Sequence, residues 1–251
     1  MHAVWDSYDR RKVVLVGLSV LVGSILIILL VVSLPPGDSP MEETFLLTEN
    51  EATTSQFINV VIFGVNQLHQ QPTVVEAVWI GTFDLANNEG VLLGLPYTFG
   101  LNNGLSMAQS FSWLEENQLD PTFITAVQET LALDIDTVLV MDRDCFQASI
   151  DFIGGLPMET GQDMDGSAAL ALHAMSANDP WLALEVQAEI LSNARQRLHG
   201  LGHQPDLTAL FDLTPEHCWF DMSDEAALNI VMDMFPLNGQ SIRIDTIADT
   251  N

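Results

Sequence analysis

Glu76 is the residue of this chain most in need of a chemical explanation. It is a carboxylate inside the otherwise apolar run at residues 74–83, VVEAVWIGTF. A carboxylate in a core strand requires a partner, a proton or solvent. Cys145 and Cys218 could form one disulfide or stand as two separately buried thiols, and the sequence leaves both readings open. His199 and His203 have i,i+4 spacing, but Gly200, Leu201 and Gly202 end a helix between them and no third ligand is in view. Asp163-Met164-Asp165-Gly166 is too short for an EF-hand loop. Neither a Gly-rich phosphate loop nor a Gly-x-Ser-x-Gly elbow is present, so no catalytic residue is assigned.

Basic residues are scarce, and their positions divide the chain. Seven Lys+Arg stand against 34 Asp+Glu. Arg10, Arg11 and Lys12 immediately precede the uncharged stretch 13–34, VVLVGLSVLVGSILIILLVVSL. As a helix this stretch would be about 33 Å long, enough for a hydrocarbon core of about 30 Å. It is too long for the apolar region of a signal peptide, and SLPPGDSP after it offers no A-x-A cleavage pattern. Basic residues favour the cytoplasmic side. The expected organisation is therefore a cytoplasmic tail at 1–12, a single-pass signal anchor in the plasma membrane at 13–34, a Pro-, Thr- and acid-rich linker at 35–55 and an extracytoplasmic domain at 56–251. All acidic residues but Asp6 and Asp9 lie beyond the anchor, with only Arg143, Arg195, Arg197 and Arg243 against them. That field repels nucleic acid and excludes it as a partner. Arg143 reads as local charge balance between Asp142 and Asp144. Arg195 and Arg197 suit the last turns of a long helix.

The elements that must position these residues alternate. Strands are expected at 57–64, 74–83 and 90–95, the last two joined by the turn-rich DLANNEG. Helices are expected at 105–117 and at 121–133, the second capped by Asp120 with Pro121 at its first position. A strand at 136–142 and a helix at 144–153, stopped by Gly154-Gly155, come next. Helices at 165–175, from Asp179-Pro180 to about His199, and at 223–235 follow, before a closing strand at 241–247. Such interleaving implies a central sheet covered by helices.

In this order the elements resemble the LytR-CpsA-Psr family of membrane-anchored envelope proteins. Residues 134–158, DIDTVLVMDRDCFQASIDFIGGLPM, are similar to the family's strand, acidic turn and helix ending in Gly-Gly. MDGSAALAL at 164–172, NVVIFG at 59–64, FDLANNEGVLLGLP at 83–96 and FDMSDEAALNIV at 220–231 match further segments in sequence. The resemblance implies a central mixed sheet flanked by helices, an α/β/α domain preceded by one transmembrane helix. It also implies the family's activity, which is transfer of glycopolymers from polyprenyl pyrophosphate to the cell wall. In that chemistry the lipid tail lies between sheet and helices, while arginines and a divalent cation hold the pyrophosphate.

The chain departs from the family where that chemistry resides. Asn66 and Leu68 stand in place of Asp and Arg after the first strand, and Val74, Val75 and Glu76 in place of Arg-Ser-Asp. Ile-Pro-Arg-Asp has become Leu95, Pro96, Tyr97 and Thr98. Ala174, Met175 and Ser176, then Ala183 and Val186, replace further arginines. The expectation is a retained fold with degenerate transferase chemistry, keeping a lipid or polyprenyl pocket lined by Phe146, Ile150, Ile153 and Leu170. A cation bridging Glu76 and Asn66 is a further expectation, with Mg²⁺ as the ion if transfer activity survives through carboxylates. The alternatives are that active transferase and a structural envelope protein whose acidic surface meets cations or a wall partner.

Overall fold

The computed structural model describes residues 57–68, 72–84, 86–87, 89–114, 118–158, 161–200, 214–221 and 242–247. The anchor expected over 13–34, the linker, His203 and the helix expected over 223–235 lie outside the described residues. Among the described residues no helix is long and apolar enough to cross a membrane.

Six strands form one mixed sheet. β1 (Phe57–Val65), β2 (Val75–Asp84) and β3 (Glu89–Leu95) are an antiparallel meander, as their β-branched and aromatic content favours. β6 (Thr137–Asp142) lies parallel to β1, β7 (Cys218–Phe220) antiparallel to β6, and β8 (Ile242–Thr246) parallel to β3. The sheet order is β7-β6-β1-β2-β3-β8. Val138, Leu139 and Val140 of β6 are fully buried, as a central strand covered on both faces requires.

Alternation splits the strands between two cores. Val61, Phe63, Val78, Ile80, Val138 and Val140 face α1 (Met107–Ser110) and α2 (Pro121–Leu131), which contribute Met107, Phe123 and Val127. Ile58, Val60, Trp79, Phe83 and Leu92 face the other way, toward Leu184 of α5 (Pro180–Gly200). On that side α3 (Arg143–Phe152) and α4 (Gly166–Ser176) join α5 in a third core around Ile150, Ile153, Leu156 and Ala169. Short polar side chains set the starts of the longer helices. Asp120 accepts from the amide of Thr122, Asp142 from those of Asp144 and Cys145, and Asp165 from that of Ala168. Gly154 and Gly155, at φ 80° and 85°, provide the left-handed backbone that follows α3.

One expected element is different. The helix expected over 105–117 stops after one turn, where Phe111 takes an extended backbone, and a short hairpin follows, β4 (Trp113–Leu114) with β5 (Gln118–Leu119). Aromatic packing decides it. Phe111 meets Phe63, Phe123 and Trp113 edge-on or nearly so at 5.5–5.7 Å, and Trp113 meets Trp219 at 5.2 Å. The extended backbone lets both rings reach that cluster. β7 and the turn α6 (Thr214–His217) had no counterpart in the sequence reading.

Candidate functional site

A cleft opens between the sheet and the layer formed by α3, α4 and α5. Its empty space, open solvent at the mouth included, is about 800 Å³. Its body is apolar: Ile62, Ala77, Leu92, Phe146, Leu170 and Leu191 line it. Its mouth lies at the carboxyl ends of the parallel strands β1 and β6, the end at which open α/β sheets bind ligands. There the lining turns polar, with Glu76, Asp142, Arg143, His173 and Gln187.

A β-bulge places Glu76 in this mouth. Gly64 pairs with Ala77 but Val65 with Val75, so Glu76 is an extra residue in β2 with no partner across the ladder. Such a bulge re-aims a side chain that regular alternation would send to the other face. Both carboxylate oxygens then meet Arg143, which Asp142 positions at the first turn of α3. Nε donates to Oε2 at 2.8 Å and Nη2 donates to Oε1. The Glu76 side chain is 14% exposed and that of Arg143 44%, so the pair sits at the boundary between core and solvent. The bulge also frees the Glu76 carbonyl from the ladder. Gln187 of α5 donates to it at 2.9 Å and accepts the indole N–H of Trp79 at 3.0 Å.

His173 completes the wall from α4. It is 9% exposed, and its Nδ1 has no hydrogen-bond partner among the described residues. Burial pushes its pKa down; the Glu76 charge opposes that shift and the Arg143 charge adds to it. Beside the mouth, Asp142 Oδ2 lies 2.9 Å from Nδ1 of His217, and Asp144 lies 3.7 Å from the same nitrogen. These three groups bring potential metal-ligand atoms within 4.8 Å of one another. Asp142, however, already takes two backbone amides on Oδ1 and the imidazole on Oδ2. Ion pairing accounts for the arrangement. Next to it a disulfide joins Cys145 in α3 to Cys218 in β7, with Cα atoms 6.5 Å apart.

The four pocket residues expected from sequence are divided by the structure. Phe146 and Leu170 line the cleft, whereas Ile150 and Ile153 are buried in the core between helices. Glu76 and Asn66 are committed to different partners. The Asn66 side chain accepts the amide of Val74 at 2.7 Å and donates to the carbonyl of Pro72 at 3.3 Å, closing the β1–β2 connection. Arg143, which the sequence reading assigned to local balance with its neighbours, instead reaches across the mouth to β2. Its position directly after a parallel strand was the available signal. His173 offered a weaker one, as the only titratable residue in α4.

The remaining arginines are occupied as well. Arg195 donates to the carbonyl of Ile242 at 2.7 Å. Arg197 donates to the carbonyls of Gly155 and Gly154, at 2.8 and 2.7 Å, and pairs with Asp163. Arg243 pairs with Asp245 in β8. The cleft can therefore hold an apolar chain beneath a polar rim, but among the described residues its rim carries no cation without a counter-ion.

A mixed six-stranded sheet with this helix layer and cleft is the α/β fold of LytR-CpsA-Psr proteins. Among solved structures the chain is similar to Bacillus subtilis TagV, at 13% identity over 79% of this chain and 87% of that one, with a TM-score of 0.57. It is similar to the transcriptional regulator yvhJ from Bacillus subtilis at 15% identity, covering 79% and 85%, with a TM-score of 0.57. TagT bound to LIIa-WTA is matched at 14% identity, covering 79% and 82%, with a TM-score of 0.58. At such identities the likeness establishes the fold. No family model and no curated protein matches the sequence.

Proposed function

We propose that this chain is a membrane-anchored, extracytoplasmic envelope protein whose domain binds the apolar chain of a lipid in the cleft without performing phosphotransfer. The observation that carries this reading is the apolar cleft whose rim arginine is already neutralised by Glu76. A leaving pyrophosphate needs guanidinium or metal charge to stabilise it. All four arginines beyond the anchor are engaged by carboxylates or carbonyls. The structures of TagT bound to LIIa-WTA and to LI-WTA, which are wall teichoic acid lipid intermediates, support a lipid-linked ligand for this fold. The Cys145–Cys218 disulfide supports an oxidising compartment, and the uncharged segment 13–34 supports an anchor.

The test is to fill the cleft. Leu170→Trp in the full chain, held in lipid nanodiscs, is expected to weaken binding of a fluorescent polyprenyl probe at least about tenfold while leaving the thermal midpoint within a few degrees. Equal binding by a folded Leu170→Trp variant would place the lipid elsewhere and sink the reading.

A further inference from the structure

Two observations at the mouth bear on which lipid the cleft accepts. The first is the state of its cation. Arg143 is the only cation on the rim among the described residues, and Glu76 covers it on two nitrogens in the bidentate geometry that a phosphate would otherwise use. An anionic head group must displace a carboxylate held in place by a bulge. It must also approach Asp142 and Asp144.

The second is the polar side chain left over. Glu76, Arg143, Asp142, Gln187 and the Trp79 indole all have partners, whereas the His173 imidazole, which lines the cleft, makes no side-chain hydrogen bond among the described residues. A ring nitrogen at the cleft wall that lacks a partner gains one from a ligand group able to supply it. A hydroxyl both donates and accepts, and so suits this nitrogen in either tautomer of the neutral ring. A phosphate that has lost its protons only accepts.

Building on the lipid-binding reading above, we propose that the cleft selects an uncharged amphiphile, a long-chain alcohol whose hydroxyl pairs with His173, and that Glu76 excludes the phosphorylated forms by occupying Arg143. Glu76 is thereby the specificity-determining residue for head-group charge, and His173 the residue that recognises the neutral head.

The experiment titrates the full chain in nanodiscs with farnesol, farnesyl phosphate, farnesyl pyrophosphate and the headless hydrocarbon farnesene, each with and without Mg²⁺. Farnesol is expected to bind at least tenfold more tightly than either phosphate, with Mg²⁺ making no difference. Glu76→Gln frees the guanidinium and is expected to invert that order. His173→Leu provides an independent arm: it should abolish the preference for farnesol over farnesene. Equal affinity for all four ligands would overturn the selectivity while sparing the lipid-binding reading. Tighter binding of a phosphate to the wild type overturns the role of Glu76 even if the variant fails to fold. No binding of any ligand, farnesene included, removes the lipid-binding reading itself.

Discussion

The two histidines near the cleft are shifted in opposite directions, and each shift has a visible cause. Burial lowers the pKa of His173 from its usual 6.5, against the pull of Glu76 and with the repulsion of Arg143. For His217, burial also works against the charge, but the hydrogen bond to Asp142 and the charges of Asp142, Asp144 and Glu216 outweigh it and raise the pKa above 6.5. The linkage signs follow. His217 binds its proton more tightly when folded, so its contribution is fully present below pH 6.5 and is lost as pH rises through its folded value. His173 binds its proton less tightly when folded, so stability is lost as pH falls from 6.5 toward its folded value. The two windows do not overlap. His217→Gln is expected to remove about 0.5–1 kcal/mol of stability at pH 6 and little at pH 9, the size of a partly exposed ion pair. Thermal midpoints of wild type and variant across that range check it, and parallel curves would show that His217 is uncharged in the fold.

At the scale of elements, the crossing of α3 and α4 depends on a missing side chain. Gly166 opens α4 directly against the carbonyl of Gln147 in α3, where an added Cβ would overlap backbone that cannot swing aside. Its amide is held by Asp151 at 2.6 Å. Gly166→Ala is expected to cost about 1–3 kcal/mol, as overpacking does, despite the better helix propensity of alanine. Denaturant unfolding would measure this, and a neutral or stabilised variant would contradict the close crossing. These elements also show where sequence reading works. Asp120 announced its helix because a cap is a local signal, and the strands of β1 and β6 were legible from apolar runs. The hairpin β4–β5 was not, because Phe111 and Trp113 are extended by packing against Phe63 and Trp219, far away in sequence, together with Phe123. The site was half legible for the same reason. Glu76 stood out as a carboxylate in an apolar run, but its partner could not be named. The bulge that turns it toward Arg143 exists only in the pairing of two strands.

Across the whole molecule, charge is one-sided: 34 acidic residues face seven basic ones, and every arginine after residue 34 is already neutralised or bonded to carbonyls. Repulsion among the acids opposes compaction and is screened by salt. The thermal midpoint is expected to rise by at least about 2 °C between 20 and 500 mM NaCl, about 2–4 °C accompanying each kcal/mol relieved. A flat or falling midpoint would mean that the acids are spaced too widely to interact. The sheet's connectivity has a consequence of another kind. β1 pairs with β2 and β2 with β3, neighbours in sequence, but Val60 must find Thr137 and Gly90 must find Ile242 before the sheet is complete. Such distant parallel pairing is slow, because loop closure must precede any gain. The early meander would meanwhile present apolar side chains on both faces. A newly made chain therefore passes through an interval in which it is prone to self-association, and an organism producing it depends on the supply of holding chaperones until β6 and β8 have docked.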